Sequence, residues 1–182
     1  TGDLVESAFG GVGFASKGPW TINVRAVTMT LDDTDSGLDV EWDRTTLQAS
    51  VAYRFAVTGK HAWGVLGGVR SVDHEWKINT GVPPTIRPEE DFTDFIVGLT
   101  HAVPINDRWS WTNRIVVGFG DSEEATYFTT AINWQPLDHW VFNANFSYTD
   151  VEFGDSDDIN DADFYLYDME EPAFGIGFLY TW

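Results

Sequence analysis

The strongest constraint in this chain is a period of two. Over residues 173–182 the side chains of Phe174, Ile176, Phe178, Tyr180 and Trp182 share one face of an extended strand, and Ala173, Gly175, Gly177, Leu179 and Thr181 share the other. The split follows because successive strand side chains point to opposite sides. Residues 140–149 repeat it, with Trp140, Phe142, Ala144, Phe146 and Tyr148 opposing Val141, Asn143, Asn145, Ser147 and Thr149. Helical periodicity is nearly absent, apart from one turn's worth at residues 3–6. A chain patterned in this way reads as a series of strands.

The choice of inward face decides the class. A small barrel cannot pack so many rings inside, whereas Gly, Asn, Ser and Thr fit its lumen. The rings are therefore expected to face lipid, and the expected fold is all-β, an antiparallel up-and-down transmembrane β-barrel of 8–10 strands. The alternative is a soluble sandwich or barrel with its apolar face turned in. Aromatic residues make up 15% of the 182 residues, with nine Trp, yet mean hydropathy is slightly negative. No run approaches the roughly 18 consecutive apolar residues of a transmembrane helix, while the alternating strands of a membrane barrel escape such an average. Absence of cysteine removes disulfides, thiol nucleophiles and Cys-based zinc sites. A net charge of −19 argues against a nucleic-acid partner. By length, residues 1–182 form a single domain. The abrupt start at Thr1-Gly2-Asp3 is expected to lie inside a longer, exported precursor whose leader has been removed.

Earlier segments follow the same alternation. Trp20, Ile22 and Val24 oppose Asn23 and Arg25; Leu47, Val51, Tyr53 and Phe55 oppose Gln48, Ser50 and Arg54. Trp63, Val65 and Val69 oppose Gly64, Gly68 and Arg70; Phe95, Val97 and Leu99 oppose Asp94, Gly98 and Thr100. Trp109, Trp111, Ile115 and Val117 oppose Thr112 and Arg114, and Phe128, Ile132 and Trp134 oppose Ala131 and Asn133. Every central arginine thus takes the lumen side, as expected where a lipid-facing charge at the midplane costs about 2–4 kcal/mol. Arg25, Arg54, Arg70 and Arg114 with Asp94 are expected to form a paired network that plugs the lumen, because buried charges need partners. Arg70 and Arg114 should each meet a carboxylate or several carbonyls. The alternative is an ion path. Asn113, polar on the presumed lipid face, has no sequence-level explanation.

Connections alternate in length. Residues 15–19, 57–61, 104–108 and 135–139 are short, whereas 32–43, 79–91 and 154–163 are longer and acidic, with a shorter 121–124. Short turns at one rim and long loops at the other are the asymmetry of an outer-membrane barrel. Trp20, Trp63, Trp109, Trp134 and Trp140 border short turns and Trp182 ends at that level, which reads as an aromatic girdle at one membrane interface. Eight strands run from Trp20 to Trp182, and residues 8–15 look like a ninth. Because bacterial barrels usually have even strand numbers, the favoured reading is ten strands, the first preceding Thr1, disordered or lost. The alternative is eight strands with residues 1–18 as an accessory segment.

This arrangement resembles the small outer-membrane β-barrel proteins of proteobacteria. Residues Phe174 to Trp182 look like their C-terminal assembly signal, alternating apolar positions that end in an aromatic. Asp107-Arg108-Trp109-Ser110, Phe119-Gly120-Asp121 and His139-Trp140 through Val151 are similar to a group of uncharacterised barrels. Those carry "RW" at strand starts, "GFG" before a loop and a "GYRYLDVDY"-like penultimate strand. Here Asn145-Phe146-Ser147-Tyr148-Thr149-Asp150-Val151 stands in that place without its Gly and Arg. The resemblance covers residues 7–182 in outline. It implies an integral protein of the Gram-negative outer membrane, in contact with lipid, lipopolysaccharide and the barrel assembly machinery, and says almost nothing of activity.

The chemistry is sparse. Of His61, His74, His101 and His139, only His74, between Asp73 and Glu75, lies toward the side where a surface hydrolase would work. Consecutive strand residues point apart, and no serine elbow, metal-spaced histidines or phosphate loop accompanies it, so no catalysis is expected. The acidic segments read as solvated surface, with weak Ca²⁺ binding at Asp33, Asp35, Asp157 and Asp158 as the sharper alternative, since clustered carboxylates are hard oxygen ligands. No other cofactor is expected. The functional expectation is a structural or surface-interaction barrel displaying acidic loops, with an envelope protein as an additional partner. A narrow pore or transporter for small solutes is the alternative, and a surface hydrolase using His74 the second alternative.

Overall fold

The structure, a computed structural model, describes residues 7–35, 38–79, 89–122, 124–154 and 166–180. Nine strands follow one another: β1 (Ser7–Lys17), β2 (Trp20–Asp35), β3 (Leu38–Thr58), β4 (His61–Asn79), β5 (Glu89–Pro104), β6 (Trp109–Gly120), β7 (Glu124–Leu137), β8 (Trp140–Gly154) and β9 (Leu166–Tyr180). Each pairs antiparallel with the next, so one sheet has the order β1 through β9, the architecture of an all-β, up-and-down curled sheet consistent with a β-barrel. No described helix is long and apolar enough to cross a membrane.

Turn chemistry fixes the hairpins. Gly18 and Gly59 have φ of 61° and 62° at the first central position of two-residue turns, where a positive φ suits glycine and matches the strand twist. Pro19 follows Gly18 at the position its fixed negative φ allows. Register shifts at Arg54/Ala56 and Trp134/Leu137 add local twist near this rim, as bulges do. This rim, carrying residues 18–19, 59–60, 105–108 and 138–139, is the turn end; the opposite rim is the loop end. On the inward face, a Cβ at Gly68 would run into the Ala49 carbonyl oxygen, and one at Gly98 into that of Ile115. Glycine at these two positions lets neighbouring strands approach while the sheet coils.

Strands β3 and β4 have 21 and 19 residues, about twice the roughly 9–11 that cross a hydrocarbon layer. Much of the acidic stretch expected as loop over 32–43 is instead the hairpin of β2 and β3, in which Asp32 pairs with Glu41. Residues 89–91 likewise belong to β5. The correction has a simple origin: acidic residues end the apolar alternation without ending the ladder, because the backbone keeps pairing.

Residues 7–17 are a full strand, joined to β2 by eleven consecutive partners, not an accessory segment. Their facing departs from the other strands. Val12 and Phe14 lie opposite Arg25 and Asn23 and hence on the inward side, while Gly11, Gly13 and Ala15 take the outward one. Among the described residues β1 and β9 have no partner on their other side.

The alternation sorts the side chains as the lipid-facing reading requires. Val97 is 45% exposed in the middle of the sheet, and Phe174 86% and Phe9 85% on the edge strands. Inside, one cluster at the loop end draws Met29, Trp42, Leu66, Val72, Phe92, Ile96, Val116, Ala125, Tyr127 and Val151 from β2 through β8, with Met169 of β9 packed against it. The interior is therefore not uniformly small and polar. Where the strands project beyond the outward apolar belt, they need a core of their own, and the inward positions supply it.

Candidate functional site

The inner face of the sheet brings most of the chemically interesting side chains together. Its loop half is largely apolar and filled by side chains. His74 is 1% exposed; its Nδ1 accepts a hydrogen bond from Trp42 Nε1 at 3.1 Å, and its ring stacks on Trp42 and Phe92. Asp73 and Glu75 face outward on either side. Burial, with the charge of Arg44 adding, pushes the imidazole down to about 4. This histidine, singled out as a surface base, is a neutral member of the interior cluster. Its level carries outward carboxylates at Asp73 and Asp91, opposite one another on β4 and β5, so it lies beyond the apolar belt.

Two interior groups were not singled out from the sequence. Arg44 of β3 donates from Nη2 to Glu171 Oε2 of β9 at 2.7 Å and from Nη1 to the Met169 sulfur at 3.7 Å. This contact crosses the inside of the curl between the third and ninth strands. Trp42 belongs with it, since Arg44 lies 5.3 Å from its ring. Both were legible: continuing the β3 alternation past Gln48 puts Thr46, Arg44 and Trp42 on the inward face.

The expected arginine network is present in part. Arg25, Gln48, Arg70 and Asp94 form one cross-strand row over β2 to β5. Asp94 is fully buried and accepts hydrogen bonds from the Ser122 backbone N at 3.0 Å and from Ser122 Oγ at 2.8 Å. Arg70 has no carboxylate partner among the described residues; its guanidinium lies 3.7 Å from the Tyr127 ring centre, a cation–π contact across to β7. Arg114 retains Nε and Nη2 without an acceptor, and Arg70 retains Nε. Among the described residues neither makes a hydrogen bond to a carboxylate or carbonyl, although the Asp94 carboxylate opposite Arg70 acts on it through space. Arg54 stands apart from the network, exposed at the turn end, where Nη2 donates to the Gly18 carbonyl oxygen at 3.2 Å. It lies six residues nearer the turn end than Gln48, the β3 member of the row, and pairs with Gly64.

Outside, Trp20, Trp63, Trp109, Trp134 and Trp140 are all exposed near the turn end. Trp109 stacks on Trp134 at 5.8 Å, Trp134 touches Phe142, and Trp140 meets Tyr180 edge-on. Trp182 lies outside the described residues. The structure also accounts for Asn113. Trp111 Nε1 donates to Thr130 Oγ1 at 2.8 Å, and Thr130 donates to Asn113 Oδ1 at 2.8 Å. Asn113 Nδ2 is 3.2 Å from His101 Nδ1, and His101 Nε2 is 2.9 Å from His61 Nδ1. Because the Asn113 oxygen is taken by Thr130, its amide donates to His101, and His101 then donates to His61. The chain of five side chains satisfies its own polar groups, the condition for placing them on an apolar face.

Above the belt the outward face is charged. Lys77 donates to Glu41 at 2.9 Å and to Asp43 at 3.2 Å. The Thr30 hydroxyl, at 2.7 Å from Asp43, is the main reason that this carboxyl lies below the usual range, with Lys77 contributing. Glu41 first, then Asp43, raise Lys77. The side chains of Asp33 and Asp35, and the whole of Asp157 and Asp158, lie outside the described residues. Among those described, no three His, Asp or Glu side chains converge on a metal position.

Compared with family models and with curated proteins, the chain matches none. Fold and chemistry therefore rest on its own residues, and the class they define is a curled, up-and-down antiparallel sheet with an apolar exterior and a half-polar interior.

Proposed function

We propose that the chain is an integral β-barrel of a Gram-negative outer membrane that acts as a structural or surface-interaction element, displaying an acidic surface beyond the membrane. The observation that carries this reading is the outward belt of large apolar side chains running through every strand from β2 to β9. A contiguous exposed patch of more than a few hundred Å² is rare on a soluble monomer. On β5 the belt runs from Phe95 to Val103, nine residues that at about 3.3 Å each and a ~45° tilt cover roughly 20 Å, close to a bilayer's apolar band. The tryptophans at its turn-end border suit an interface.

A conduit is the weaker reading because Trp42, His74, Phe92 and Val72 fill the loop half of the interior. With no open path among the described residues there, the barrel anchors rather than conducts. Lipid and lipopolysaccharide are its surroundings, and the barrel assembly machinery the route by which it is inserted. Two measurements test the reading. The protein should fold only in detergent or lipid, with folded and boiled forms separating on a gel; a stable monodisperse protein in plain buffer refutes the membrane assignment. In planar bilayers it should show no large, steady conductance, and its appearance refutes the anchoring role.

A further inference from the structure

Around mid-height on the inner face of the sheet, positive charge exceeds its partners. Arg25 of β2, Arg70 of β4 and Arg114 of β6 all face inward, and Arg25 is close enough to both of the others for their charges to repel. Two acids on the described inner face answer them only through space, Asp94 acting on Arg70 and Glu171 on Arg25, because both spend their hydrogen bonds elsewhere. Asp94 holds Ser122 through two hydrogen bonds, and Glu171 holds Arg44. None of the three guanidiniums makes an ion pair among the described residues.

Several orphaned polar atoms neighbour these arginines and are of one kind. Arg70 Nε, Arg114 Nε and Nη2, the Tyr127 hydroxyl and the Ser50 hydroxyl are buried without hydrogen-bond partners, as is Trp76 Nε1 farther toward the loop end. Every one of these can donate. Arg70 and Tyr127 are in direct contact at 3.7 Å, and Ser50 pairs with Gly68, two residues before Arg70. A buried donor without an acceptor costs on the order of 1–3 kcal/mol, more when charged. A set of unpaired donors around net positive charge calls for one acceptor-rich anion, because several oxygens on one centre meet several N–H and O–H groups at once. Space exists toward the turn end: at Gly177, on the inward side of β9, no heavy atom lies within 4 Å of where a Cβ would stand. Toward the loop end the interior cluster, whose near edge is Tyr127 itself, blocks passage.

We propose that Arg25, Arg70 and Arg114, with the Tyr127 and Ser50 hydroxyls, form an anion-binding site inside the barrel, reached from the turn end, that takes a small oxyanion of the phosphate type. The site is a blind pocket. Guanidiniums match phosphate oxygens in pairs, and the Tyr127 ring holds the Arg70 plane while its hydroxyl adds a donor. Anchoring in the membrane does not depend on this site, and the site does not depend on a closed barrel.

The test titrates inorganic phosphate into the folded protein in nonionic detergent, against NaCl of matched ionic strength. Calorimetry reads binding, and the arginine Nε–H resonances report the contact. Saturable binding is expected, with slowed exchange at Arg70 and Arg114. Arg70→Gln and Arg114→Gln should each weaken it at least tenfold, while Arg54→Gln, at the rim, leaves it unchanged. Should the interior variants fail to fold, Tyr127→Phe and Ser50→Ala, each removing one hydroxyl, must weaken binding severalfold. No saturable phosphate binding beyond the NaCl effect overturns the site, as does binding that Arg70→Gln or Tyr127→Phe leaves intact. Phosphate binding together with steady conductance upholds the site and sinks the anchoring role; neither binding nor conductance sinks the site alone.

Discussion

Replacing Leu99 by arginine separates a lipid-facing surface from a water-facing one. Leu99 points outward from the middle of the apolar belt on β5, between Val65 of β4 and Ile115 of β6, and is 48% exposed. It lies four residues from Phe95 and four from Val103, the outward residues at the two ends of that belt, so an arginine here has a long way to reach either interface. In water such a position is an ordinary surface site, and the exchange should change stability by no more than about 0.5 kcal/mol. In a bilayer, an arginine facing lipid near the midplane costs about 2–4 kcal/mol, roughly a thirtyfold to several-hundredfold loss in the folding constant. Asp73→Arg is the control, since Asp73 is exposed on the same outward face of β4 above the belt and should be nearly neutral. Reversible guanidinium unfolding of the protein in phospholipid vesicles, followed by tryptophan fluorescence, reads both. A Leu99→Arg cost within about 0.5 kcal/mol of the Asp73→Arg value would show that water, not lipid, covers this face.

Three further outcomes follow from the interior and the upper rim. Phe92→Ala empties a site that is 2% exposed and should cost about 3–5 kcal/mol, measured by the same unfolding; a cost below about 1 kcal/mol would mean that the cluster is not packed. His74 stays neutral in the fold down to about 4, whereas an unfolded imidazole protonates near 6.5. The unfolded state thus binds more protons between these values, and stability should fall as pH drops through that window, by up to about 1.4 kcal/mol per pH unit. His74→Gln keeps an acceptor for Trp42 and should flatten the slope, while an unchanged slope assigns it elsewhere. Thr30→Val removes the hydrogen bond chiefly responsible for lowering Asp43, so its carboxyl should titrate at higher pH by carbon-detected NMR. For the parent protein, a depressed carboxyl loses its stabilising contribution as pH falls through its folded-state value, in the acid range.

Facing was legible in the residues wherever both faces differed in kind. Trp140, Phe142 and Phe146 against Asn143 and Asn145 left one assignment, and the sheet adopts it. The extent of the strands was less legible, because Asp32, Glu41 and Asp43 look like loop when composition is read alone, yet backbone pairing is indifferent to outward carboxylates in water. Once the strands are lengthened, the inward Trp42, His74 and Phe92 become a core. The interior arginines were recognisable as inward, since the opposite face of each strand is apolar, but not as unpaired: which side chains meet across a curl depends on tilt and register between strands far apart in sequence. Arg44 reaching Glu171 is such a contact, and so is Arg70 on Tyr127. Asn113 was legible as an exception, and only the placement of His101 and Thr130 beside it explains why the exception is tolerated.

The two margins of the sheet, unpaired among the described residues, share one heading. Every hairpin reverses the chain, so with nine strands the first and the ninth both travel from the loop end to the turn end. Zipped directly to one another, these margins could make only parallel bonds, against the antiparallel pattern of every other seam. A second copy inserted with the same orientation offers the same heading and meets the same obstacle. The gap therefore has a sense of direction: an antiparallel filling has to ascend from the turn end and bond on both flanks. Beside β1 it would pass over Gly11 and Gly13, where an outward ring has room and could cover bare backbone. Parity alone thus writes half the specification of whatever completes the wall.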